Sequence, residues 1–97
     1  MECNHPFEGL PGGDLVDVGL RDLRRGIESP EALLVASFAP RLRRLGIGLP
    51  DRQIEEPEHR LFALLCASGA DSAHRRYNAL VRRMVSFARA LATLKHA

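Results

Sequence analysis

Residues 71–97 read DSAHRRYNALVRRMVSFARALATLKHA, and this stretch decides the fold. No Gly or Pro interrupts the chain from Ala70 onward. Ala73, Tyr77, Leu80, Met84, Phe87, Leu91 and Leu94 recur at spacings of 4, 3, 4, 3, 4 and 3. Such a recurrence keeps apolar side chains on one face of an α-helix through successive turns. A neighbouring row of Val81, Val85, Ala88 and Ala92 widens that face to about half of the circumference, beyond the ~100° of an ordinary surface helix. The pattern predicts a helix over about 72–95, capped by Asp71 or Ser72 and roughly 36 Å long at 1.5 Å per residue.

Upstream, Gly69 marks the end of another helical segment that begins near Pro57, with Leu61, Leu64, Leu65 and Ser68 on its inner face. Glu55, Glu56 and Glu58 crowd its start, where unpaired amides and the helix dipole favour anions. Before it, Ile47, Leu49 and Ile54 tack a loop to the core. Ser29-Pro30-Glu31 is a helix start: a capping hydroxyl, a proline at the first helical position and an acid in the first turn. Leu34, Phe38, Leu42 and Leu45 form the stripe of that segment, with Leu33 beside it. Pro40 removes a backbone donor, so the segment is either a kinked helix over about 30–45 or two short helices. Val16, Leu20, Leu23 and Ile27 define the first helix, with Asp14 as its expected N-cap and Gly26 as its stop. Pro6, Gly9, Pro11, Gly12 and Gly13 leave residues 1–13 as an irregular Gly/Pro-rich arm.

No segment alternates with period two, so the expected class is all-α: a single domain over residues 1–97, built as a compact bundle of four to five helices, orthogonal or up-down, with a long C-terminal helix. Composition agrees. Of 97 residues, 45% are hydrophobic and 27% charged, an ordinary balance for a folded soluble chain. With only four Phe, one Tyr and no Trp, the core must be mostly aliphatic.

The net charge of +2 hides an uneven distribution. Residues 72–97 carry Arg75, Arg76, Arg82, Arg83, Arg89 and Lys95 with no acid, a formal +6 against −4 elsewhere. Arg75, Arg82 and Arg89 repeat every seven residues and line up opposite the apolar stripe. This arginine row is a candidate surface for an anion or a partner. The bias towards Arg over Lys across the chain also fits a GC-rich bacterial genome.

Chemistry-bearing side chains are sparse. Cys3, His5, His59, Cys66, His74 and His96 form no ligand pair at metal-binding spacing, so neither metal nor cofactor is expected. Cys66 falls inside a helix as a small hydrophobe, His59 and His74 lie near helix starts, and no serine sits in a nucleophile elbow. Asp14, Asp17 and Asp22 are accounted for by capping and a solvated helix face. The string Leu10-Pro11-Gly12-Gly13-Asp14-Leu15 lacks the lysine and spacing of a P-loop and reads as a tight turn into a helix. The first residues lack the basic and apolar regions of a signal peptide, and no apolar run approaches the ~20 residues that span a bilayer, so a cytoplasmic chain away from membranes is expected.

The functional expectation is a non-catalytic interaction or structural protein, not an enzyme. It forms a homodimer through Tyr77, Leu80, Met84, Phe87, Leu91 and Leu94 of the C-terminal helix, with room for a larger protein partner. The alternative is a small nucleic-acid-binding protein that uses Arg75, Arg82 and Arg89.

Overall fold

The computed structural model describes residues 7, 9–50 and 54–96. Among them are four helices and no strand: α1 (Gly13–Arg25), α2 (Pro30–Ser37), α3 (Ala39–Arg44) and α4 (Pro57–His96). None is long and apolar enough to cross a membrane. The Cα radius of gyration is 13.3 Å and the extents are 40 × 28 × 25 Å, so the long last helix sets the longest dimension.

The core is organised around α2. Four consecutive residues, Ala32, Leu33, Leu34 and Val35, are all buried. Four neighbours at 100° intervals point to every side of a helix, so α2 is enclosed, with α1 and α4 as its main neighbours. The expected stripe of Leu34, Phe38, Leu42 and Leu45 is buried or half-buried, and in α2 burial extends beyond it to Ala32 and Val35. Ser29 caps α2, its Oγ accepting from the Ala32 amide at 3.1 Å, and Pro30 takes the first helical position. The same hydroxyl donates to Asp22 Oδ2 at 2.6 Å. Asp22 is consequently buried, whereas the sequence pattern placed it on a solvated face.

Helix α1 lies tight against α2. A Cβ on Gly19 would come within 2.5 Å of Val35 Cγ2 and 2.6 Å of the Glu31 carbonyl oxygen. Gly26, at φ 76°, ends α1 in a Schellman turn, with the Ile27 amide donating to Asp22 O and the Gly26 amide to Leu23 O. Because the helix stops there, Ile27 leaves the expected stripe and is 47% exposed. The α1 start also departs from expectation. Gly12, at φ 73°, is the N-cap, and Asp14 stands inside the first turn without capping.

Of the two readings at Pro40, the break into two short helices is the one observed. It falls at Phe38 (φ −100°, ψ 10°), leaving Pro40 in the first turn of α3, where its missing N–H costs no bond. Ile47 is buried, while Leu49 and Ile54 pack half-buried against the core.

The expected break at Gly69 is observed: the chain leaves helical geometry there (φ 158°, ψ 92°), and α4 is two helical stretches meeting at that kink. No cap restarts the chain there. Ser72 Oγ donates to the Gly69 carbonyl oxygen at 3.3 Å, Asp71 is exposed, and Arg76 Nη1 bridges the break to Ser68 Oγ at 2.8 Å. Before the break Leu61 and Leu65 face inward, but Leu64 is 38% exposed and Ser68 is exposed, so neither belongs to the inner face.

Candidate functional site

The C-terminal part of α4 carries the candidate surface, and burial varies along both rows of its apolar face. Met84 and Phe87 are completely enclosed by the chain itself, together with Ala73 and Ala88. Tyr77, Leu80, Val81 and Leu91 are half-buried and pack on the same core, while Leu94 is 60% exposed. Two of the six residues expected at a dimer interface, Met84 and Phe87, thus serve the interior and present nothing to a second chain.

The N-terminal arm helps to seal that interior. The Phe7 ring stands edge-on to Phe87, with centroids 5.1 Å apart at 83°. Gly12 lies so close to α4 that a Cβ would approach the Arg83 carbonyl oxygen to 2.6 Å. The Gly12-Gly13 pair is the tight turn that the sequence suggested, and its neighbour is the backbone of α4. Beside it, Arg83 Nη2 donates to both oxygens of Asp14, at 2.8 and 3.0 Å. That hydrogen bond is the main reason the Asp14 carboxyl lies below its ordinary value of 3.8; the Arg83 charge adds to it and desolvation opposes it.

The second row is the more open one. At 100° per residue, His74, Val81, Val85 and Ala92 share one flank of α4. Val81, Val85 and Ala92 are half-buried and His74 is exposed. Val85 and Ala92 lie outside the core cluster. Farther round, Arg75, Arg82 and Arg89 are all exposed, and among the described residues no carboxylate pairs with them. Arg83 and Arg76, by contrast, are engaged within the chain.

The bend at Gly69 builds a feature that sequence reasoning missed. It folds the start of α4 back so that the Phe62 ring meets His74 (centroids 5.3 Å apart) and Tyr77 (5.9 Å), both edge-on. With Glu56, Glu58 and His59 these rings line an open groove of about 520 Å³. The signal present in the sequence was the pair of i, i+3 steps on either side of Gly69, His59 to Phe62 and His74 to Tyr77. Arg60, next to this groove, is turned away to Glu28, which accepts through both oxygens at 2.7 and 2.8 Å.

Among the described residues no group of three His, Cys, Asp or Glu side chains is placed to hold a metal ion. Cys66 is a half-buried free thiol packed on the core. Cys3, His5 and the side chains of Lys95 and His96 lie outside the described residues. The chain matches no protein-family model, no curated protein and no solved structure.

Proposed function

We propose that this is a non-catalytic interaction protein that pairs with a second copy of itself along the open flank of α4. The observation that carries the reading is the position of Val81, Val85 and Ala92: apolar side chains at helical spacing, left half-exposed beside the fully buried Met84, Phe87 and Ala88. Small side chains on such a row let two helix axes approach to about 8–10 Å. A two-fold pair needs only one self-complementary patch, and a row on one helix supplies it. The interface therefore differs from the expected one. Tyr77 and Leu80 border it, and Met84 and Phe87 stay within each subunit. Light scattering after size exclusion, over a dilution series, tests the reading. The mass is expected to rise from 10.7 kDa towards twice that value with concentration; a mass fixed at 10.7 kDa throughout would refute it.

A second reading rests on a separate observation, the exposure of Arg75, Arg82 and Arg89 without acidic partners among the described residues. Such a row suits the phosphates of a nucleic acid. Binding to a labelled oligonucleotide is then expected to weaken steeply with salt and to be lost when all three arginines become Ala. Insensitivity to both changes removes this alternative.

A further inference from the structure

We infer that the groove at the Gly69 bend binds an arginine side chain carried on a segment of a different partner protein, independently of any self-pairing. Its lining joins two kinds of group that a guanidinium uses together. Phe62, His74 and Tyr77 supply aromatic rings, and Glu56 and Glu58 supply carboxylates, around about 520 Å³ of open space. The Phe62 ring stands at 62° to His74 and at 81° to Tyr77, so the rings do not form one flat apolar wall. Phe62 and Tyr77 also pack on the core, which holds both rings in place while they line the groove half-buried.

The charge of the groove leans to acid. Glu56 and Glu58 are exposed, and among the described residues no Arg or Lys pairs with either one. Arg60, close by in the chain, is committed to Glu28. The start of α4 contributes about half a positive charge through its dipole, and two carboxylates outweigh it. The dipole accounts for acids at this place, but not for three rings gathered beside them from both sides of Gly69.

Chemistry selects the occupant. An aromatic face attracts a cation placed over it, and a carboxylate adds a charge-assisted hydrogen bond. A guanidinium satisfies both at once, its plane stacking on a ring while its edge donates to a carboxylate. An ammonium, a compact and strongly hydrated point charge, stacks less well. Small-molecule sites enclose most of their ligand, whereas this groove is open, which suits a side chain held on a longer segment. The arginine row of α4 does not supply it within the chain. At 100° per residue, Arg75, Arg82 and Arg89 lie about 120° or more around the helix from Tyr77.

A peptide with one arginine between glycines, blocked at both ends, tests the site on the full chain at low ionic strength, where screening is slight. Tyr77, the sole tyrosine in a chain without tryptophan, lines the groove, so its fluorescence reports occupancy. A saturable change is expected with the arginine peptide. A citrulline twin, which keeps the shape and loses the charge, is expected to bind about tenfold more weakly or worse. A lysine twin should fall between the two. Glu56→Gln with Glu58→Gln should weaken arginine binding about tenfold. Phe62→Leu, which keeps bulk and removes the ring, should weaken it roughly threefold. Far-ultraviolet circular dichroism monitors the fold, and the exposed glutamate pair keeps the test decisive if Phe62→Leu disturbs the core. No saturable change, equal binding of the citrulline twin, or full affinity after loss of both carboxylates overturns the inference. Equal binding of the lysine twin overturns the choice of a guanidinium, and full affinity in a folded Phe62→Leu variant overturns the role of the rings.

Discussion

Gly19 shows how strongly one missing side chain can shape this molecule. In an isolated helix, replacing it by alanine would gain about 1 kcal/mol from backbone entropy. Here the added methyl would meet the Glu31 carbonyl oxygen at 2.6 Å, and a backbone atom of a neighbouring helix has little room to yield. Overpacking of this kind costs about 1–3 kcal/mol. Gly19→Ala is therefore expected to lower the urea midpoint, and a higher midpoint would contradict the tight α1–α2 crossing. The Asp14–Arg83 pair makes a weaker prediction with a definite sign. Its hydrogen bond and charge hold the Asp14 carboxyl below 3.8, so its contribution to stability is present above that pH and disappears as pH falls through the lowered value. The pair is exposed and salt screens it, so the contribution is at most about 1 kcal/mol. Asp14→Asn should be slightly less stable than the parent near neutral pH and equal to it once Asp14 is protonated. A gap that persists in strong acid would contradict the assignment.

At the scale of elements, α4 sets the fully buried Met84 and Phe87 apart from the half-buried Val85 and Ala92. Phe87→Ala should destabilise by about 3–5 kcal/mol, since the ring is fully buried and braced by Phe7. Val85→Ala, one row over, should cost less than about 1 kcal/mol. Chemical denaturation of the two variants distinguishes the rows, and equal losses would contradict the division. Helix existence and type were legible because local signals agreed: Ser29-Pro30 at the α2 start, Gly26 after α1, and the unbroken 4–3 spacing after Ala70. Which face is buried was less legible. Periodicity marks an apolar face but not the partner that covers it, so Met84 and Phe87 read equally well as interior or interface. Of residues 32–35 only Leu34, with Leu33 beside it, read as part of a stripe, because enclosure from all sides is a property of the neighbours. Gly69 read as a stop and does interrupt the helix, but its sequence does not reveal the angle at which the next stretch resumes. Everything in the groove depends on that resumption, including the Phe62–His74 and Phe62–Tyr77 contacts.

For the molecule as a whole, burial and charge divide the last helix between internal and external roles. Its buried Met84 and Phe87 close the core around α2, Arg83 fastens the start of α1, and the half-buried Val81–Val85–Ala92 flank is the surface on which the proposed pairing rests. The arginine row could be read from sequence alone because seven-residue spacing aligns side chains on any straight helix. The groove could not, because Glu56 and Glu58 join Tyr77 only through the bend. The decisive measurement is the solution mass of Val85→Glu beside the parent, over the same concentration series. A carboxylate at this half-exposed position should leave the fold intact while placing an unpaired charge in the shared interface. The account predicts a parent that approaches about 21 kDa, twice the 10.7 kDa of one chain, and a folded variant that stays at 10.7 kDa. A folded variant that dimerises as well as the parent would contradict pairing along this flank.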